Sequence, residues 1–337
     1  MRVFLKKIFL IFKNILIGKI KLKFGLLENY EIFVYNSDSM SQLQFVLENK
    51  NFIILDYQIE NLKEIYISYT LVLELVKNFK KFNLSKNYFY SIIKISKPKI
   101  VITGLGNHSI FCQLAKLLDK NIDFIAVQNA RRSDFERNEY DFEKKILSKN
   151  LNPETYIPHF FCFGQYEIDN AKIYNVNIKK FYKEGSINTA NFFYYLKKNH
   201  KKIIKDKYDI CLISEPAFGE NERYKASGVE EGYGRMANYT VKFAKKFNHK
   251  FIFAAKRAKK SALYPSDLYK KEINFFKTHL DKENFEFLLD NINPKENFFS
   301  SYTAIFQSKV AVGTQSTLLR DKIGVGEKIL SCNLSGL

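Results

Sequence analysis

The chain has 337 residues, of which 46% are apolar; this excludes a disordered chain, and the length favours two α/β domains over a single core. Lysine and arginine number 54 against 35 acidic residues, giving a formal charge of +19 that suits an anionic membrane surface and anionic ligands. The lysines are scattered, with no zinc-finger spacing, RNA-binding signature or basic region running into heptads, so nucleic acid is not an expected partner.

Residues 1–24 mix apolar positions with Arg2, Lys6, Lys7, Lys13, Lys19, Lys21 and Lys23. The longest unbroken apolar run, Ile8 to Phe12, is far short of a membrane span. Lys13 interrupts what would be a signal-peptide core, and no small-residue cleavage site follows. The segment is expected to form a basic amphipathic helix, either lying in a membrane interface or docked on the domain that follows.

Strands are expected at Glu31 to Tyr35 and Asn51 to Leu55, then a helix from Ile65 to Phe82 on its apolar period. The strand Lys99 to Thr103 leads through a Gly-containing loop with Asn107 and His108 into a helix, Ile110 to Leu118. A strand from Ile122 to Val127 ends in Gln128 and Asn129; Phe160 to Gly164 is the next strand, and Gln165 to Tyr174 the helix after it. A basic polar stretch then marks a linker at 196–207, separating a domain over 25–195 from one over 208–337. The second series runs strand Tyr208 to Ser214, helix Gly232 to Phe247, strand Lys250 to Ala255 and helix Ser266 to Leu280. Strands at Phe285 to Leu289, Val310 to Val312 and Lys328 to Cys332 complete it. Strand and helix alternating through short loops predict an α/β fold with parallel, doubly wound sheets. Cys112, Cys162, Cys211 and Cys332 form no CxxC pair and read as reduced thiols of a cytosolic protein, without structural zinc.

The last strand–loop–helix carries the clearest chemistry. The apolar run stops at Gly313, and Ser316 or Thr317 can cap the helix that follows. Such a start presents free N–H groups and the positive dipole end to an anion such as a phosphate. Asp321, one turn after Thr317 on the same face, is placed to hold a ribose hydroxyl.

From about residue 100 onward the chain resembles the bacterial surface-carbohydrate (capsule and O-antigen) biosynthesis proteins, a family of GT-B glycosyltransferases. More distantly it resembles glycerophosphate and Kdo transferases. The segments that carry the likeness are Val101 to Phe111, Phe124 to Asn129, His159 to Tyr166, Asp209 to Pro216, Phe251 to Arg257 and Ser316 to Cys332. The family usually has Glu where this chain has Asp321, and a GT-B fold usually ends in a helix that returns to the first domain, whereas this sequence stops at Leu337. A truncated, inactive product is therefore one expectation.

The resemblance implies two Rossmann-like domains facing across a cleft, the first for the acceptor and the second for a nucleotide-sugar donor. It implies metal-independent transfer with no cofactor beyond the donor itself, at the inner face of the cell membrane. The acceptor would be a glycan or a lipid-linked one. Lys256 and Arg257, after their strand, would pair with the leaving phosphate. Glu215 would contact donor or acceptor. His108 is the expected base, since its ordinary pKa lies near neutrality, with Asp134 and Glu136 as rivals. Asn107, Gln128, Asn129 and Arg131 would read the acceptor. A CDP-dependent glycerophosphate transferase and an inactive glycan- or partner-binding subunit are the alternatives.

Overall fold

The structure is a computed structural model and describes residues 9, 13–25, 30–36, 39–55, 64–79, 83–104, 108–129, 156–173, 176–215, 229–257, 266–293, 295 and 297–332. The chain divides into two compact units, Met1–Asn188 and Thr189–Leu337. The division falls ahead of the expected linker at 196–207.

Unit 1 opens with β1 (Lys21–Phe24), β2 (Ile32–Tyr35), α1 (Met40–Leu43), β3 (Phe52–Leu55) and β4 (Glu64–Ile67). Helices α2 (Tyr69–Asn78) and α3 (Leu84–Ser96) lead to β5 (Ile100–Thr103), α4 (Ser109–Leu118) and β6 (Asp123–Val127). Then come β7 (Tyr156–Cys162), α5 (Gln165–Ile173), β8 (Asn177–Lys183) and α6 (Ile187–Lys198), which runs across the division. The main sheet has the order β3-β2-β5-β6-β7-β8, every described pair parallel.

Strands β2 and β5 read as continuous apolar runs because both of their faces are covered. Along β2, Phe33 and Tyr35 enter one core with Phe89, Ile92 and Phe111. Ile32 and Val34 enter the other, with Leu43 and Leu47. A separate pair, β1 beside β4, is also parallel.

The expected helix over 65–82 begins later than its period suggests. Residues 64–67 pair with β1, where Ile65, Tyr66 and Ile67 supply the bulky, β-branched or aromatic side chains that suit a strand. Ser68 then caps α2 by accepting from the Leu71 N–H at 3.2 Å. The end of the basic N-terminal segment is likewise strand β1 rather than helix, after a helical turn at 13–16.

Unit 2 comprises β9 (Tyr208–Ile213), α7 (Val229–Lys246), β10 (Phe251–Ala254), α8 (Ser266–His279), α9 (Lys282–Asp290) and α10 (Ser300–Phe306). It ends with β11 (Ser308–Gly313), α11 (Thr317–Gly324) and β12 (Lys328–Ser331). Its sheet order is β10-β9-β11-β12, again parallel throughout. The strand expected at Phe285 to Leu289 is helical: Asp281 caps α9 through a 2.9 Å bond from the Asn284 N–H, and Leu288 points into the core. Phe192 of α6 is fully buried against Phe299, Tyr302 and Phe306, with ring centroids 5.7, 5.5 and 5.5 Å away. All four cysteines are free, and burial pushes the Cys211 thiol up to about 12.

Candidate functional site

In an open parallel sheet, ligands bind beyond the carboxyl ends of the strands, where the strand order reverses. Both sheets reverse in the same way. In unit 1 the reversal lies between β2 and β5, and in unit 2 between β9 and β11.

The unit 1 reversal gathers small and polar groups. Thr103 donates its hydroxyl to the Tyr35 carbonyl at 2.8 Å, and the Gly104 N–H donates to Ser39 Oγ at 2.8 Å. A Cβ at Gly104 would come within 2.8 Å of Gln42 Oε1 and 3.2 Å of Ser39 Oγ, so glycine lets those two side chains close over the strand end. His108 precedes α4, and its Nδ1 shares a 3.0 Å hydrogen bond with the hydroxyl of the fully buried Tyr35. Burial holds the His108 imidazole below its ordinary pKa, so at neutral pH it is an uncharged proton acceptor.

Gln128 is placed differently from expectation. It is 1% exposed; its Nε2 donates to Glu167 at 3.2 Å and its Oε1 accepts from the Phe163 N–H at 2.9 Å. Its carboxamide thus ties β6 to the end of β7. Asn107, Arg131, Asp134 and Glu136 lie outside the described residues.

The unit 2 reversal has the helix start that the sequence predicts. Ser316 caps α11, accepting from the Leu318 N–H at 3.3 Å, and Thr317 is the first helical residue. The preceding loop is already occupied by an anion of the chain itself. Glu215 accepts from the N–H groups of Thr314, Gln315 and Ser316 at 2.8, 3.0 and 3.2 Å, and from the Thr314 hydroxyl. Gly313 makes room for it: a Cβ there would overlap the Glu215 carboxylate. Asp321 turns inward, 3% exposed, and accepts from the Tyr302 hydroxyl at 2.6 Å. In this arrangement its carboxylate faces α10, not a ribose.

The cations beside this loop are more suggestive. Lys256 and Arg257 follow β10 directly, and their backbone N–H groups donate to Glu272 of α8 at 2.7 and 2.9 Å. Lys295 Nζ donates to the Lys256 carbonyl at 2.6 Å, so the turn is clamped from two sides. Glu272 is fully buried; burial raises its carboxyl pKa, and the two N–H bonds oppose the rise. Burial lowers the amines of Lys256 and Lys295 and the Arg257 charge adds to it, while the Glu272 carboxylate opposes the shift at both. Three partly desolvated basic side chains thus stand at a sheet's carboxyl edge around one buried carboxylate, an arrangement that an anionic ligand would suit.

Sequence reasoning picked out Lys256 and Arg257 but missed Glu272 and Lys295. Glu272 had a legible signal, since it sits one helical turn before Phe275 and Phe276 on the apolar side of α8. Lys295 has none; it reaches the site by tertiary packing.

No family model and no curated protein matches the sequence. Among solved structures, the chain is similar to the UDP-GlcNAc 2-epimerase of Methanocaldococcus jannaschii at 12% identity and a TM-score of 0.45, over 89% of this chain and 82% of that one. It is similar to the S. aureus MnaA–UDP co-structure at 11% identity and TM-score 0.45, over 94% and 79% of the two chains. The same holds for Arabidopsis thaliana UGT89C1, at 11% and 0.43, over 89% and 71%. Likeness of this degree says nothing of activity.

Proposed function

We propose that the protein is a nucleotide-sugar-dependent glycosyltransferase, acting in surface-polysaccharide assembly on a glycan or lipid-linked acceptor. The observation that carries this reading is the cationic turn of Lys256, Arg257 and Lys295 at the carboxyl edge of the unit 2 sheet. It suits the donor diphosphate, with Ser316 and Thr317 at the neighbouring helix start. In the transfer, an acceptor hydroxyl oxygen bonds to the anomeric carbon while that carbon's bond to the diphosphate breaks. The hydroxyl proton passes to a base, and the nucleoside diphosphate leaves as an anion stabilised by the three cations. His108, neutral and anchored by Tyr35, is the proposed base, and Asn129 an acceptor contact.

A thermal-shift screen against UDP-, GDP-, CDP- and CMP-linked sugars, without metal, tests the donor site, because a ligand bound only by the folded state raises the melting point. Stabilisation by one nucleotide class, with affinity falling roughly 10- to 100-fold in Arg257→Met or Lys295→Met, is expected. No stabilisation by any donor would sink the reading.

A non-catalytic binding subunit is the second reading. It is favoured by Glu215, which fills the loop amides that a phosphate would otherwise use. A folded chain that no donor stabilises but that retains glycan binding in a pull-down would select it.

A further inference from the structure

A neutral imidazole takes a proton only at the nitrogen that carries no hydrogen, so a base at His108 depends on its tautomer. Nδ1 points inward to the Tyr35 hydroxyl at 3.0 Å, and the side chain as a whole is half-buried. Nε2 is therefore the nitrogen left for a ligand. Tyr35 ends β2 and is fully buried. Its ring lies 5.6 Å from that of Phe89 and 5.8 Å from that of Phe111, and its carbonyl accepts from the Thr103 hydroxyl of β5. Phe111 follows His108 by one helical turn, so one tyrosine ring meets both side chains at the start of α4.

Two arrangements of the hydrogen are open to this contact. If the phenol donates to Nδ1, the imidazole hydrogen lies on Nε2, and no base faces the ligand. If Nδ1–H donates to the phenol oxygen, Nε2 is bare. The imidazolium formed in a proton transfer carries hydrogen on both nitrogens, and in that state Nδ1 can only donate. We propose, on the reading of His108 as the base, that Tyr35 is a positioning residue whose oxygen accepts from Nδ1–H throughout, leaving Nε2 bare. The acceptor hydroxyl's proton then passes to the Nε2 lone pair while Nδ1–H stays in place. The positive charge spreads over a ring whose partner is a neutral oxygen, in the position that a carboxylate takes in a Ser-His-Asp triad.

Nitrogen-15 NMR of histidine-labelled protein reads the tautomer without any substrate. Of the five histidines, His108 gives the signals that are missing from His108→Gln. At neutral pH the spectrum should show hydrogen on Nδ1 and none on Nε2. In Tyr35→Phe, which keeps the ring and removes only the hydroxyl, the hydrogen should move to Nε2. Hydrolysis of UDP-, GDP-, CDP- and CMP-linked sugars, with water as acceptor, supplies the kinetic arm. Tyr35→Phe should lower kcat by roughly 10- to 100-fold for the donor that is turned over, with KM unchanged. Hydrogen on Nε2 in the unmodified protein overturns the proposal, and so does a Tyr35→Phe variant with the tautomer and kcat of its parent. Melting points check that Tyr35→Phe folds; if it does not, the spectrum of the unmodified protein decides alone. If no donor is hydrolysed while Nδ1 carries the hydrogen, the transferase reading fails and the Tyr35 contact stands.

Discussion

Glu215 shows how one carboxylate can decide the state of a site. Three backbone N–H groups and a hydroxyl converge on it, an arrangement that otherwise holds a phosphate oxygen. Removing it leaves those donors to water, so Glu215→Ala should lower stability by about 1–3 kcal/mol in urea denaturation. The same variant vacates the amides, and nucleotide affinity in calorimetry should rise; an unchanged affinity would show that the ligand phosphate never uses this loop. His108 makes a prediction about pH. Its folded pKa is depressed by burial, whereas the unfolded chain takes up that proton at about 6.5. Below that value the unfolded state binds more protons than the folded one. Stability is therefore complete above about pH 6.5 and declines as the pH falls toward the lower folded value. His108→Gln should remove this part of the slope, and an unaltered pH profile in that variant would contradict the assignment.

At the scale of elements, close packing depends on where side chains are missing. Gly234 of α7 faces His279 of α8, and a Cβ there would come within 2.6 Å of His279 Cγ and 3.0 Å of its Cβ. His279 cannot move away easily, because its ring stacks on Phe275 with centroids 4.1 Å apart and Nδ1 bonds the Phe275 carbonyl at 2.8 Å. Gly234→Ala should therefore cost about 1–3 kcal/mol despite alanine's better helix propensity, measured by thermal or urea unfolding. A stabilised variant would mean that α7 and α8 are free to separate. Since α8 also supplies Glu272, the same substitution should weaken nucleotide binding. The elements themselves were largely legible: β2, β5, β6, β9, β10 and β11 announce themselves as short apolar runs. Where readings failed, as at the following two segments, the reasons were local. Ile65 to Ile67 suits a strand as well as a helix, and only the partner β1 decides between them. Phe285 to Leu289 is a short apolar run that periodicity alone cannot assign, and the Asp281 cap makes it helical.

For the molecule as a whole, a surplus of 19 positive charges makes self-repulsion the dominant long-range term. Many of the described ion pairs are exposed, such as Lys99–Glu31 and Lys245–Glu283, and contribute little. Raising ionic strength from low salt to about 0.15 M shortens the screening length to about 8 Å. The melting temperature should therefore rise, and a fall would mean that ion pairs outweigh the net charge. Composition and pattern by themselves determined that the chain makes two parallel-sheet α/β units, that Ser316 or Thr317 caps a helix after a glycine turn, and that cations follow β10. These depend on side-chain periodicity and on caps within a few residues. Only the tertiary structure decided that Glu215 fills the loop 99 positions away at Thr314, that Glu272 and Lys295 clamp the cationic turn, and that Asp321 faces Tyr302. Those contacts follow from strand order and helix packing, which bring together residues whose local sequence carries no record of one another.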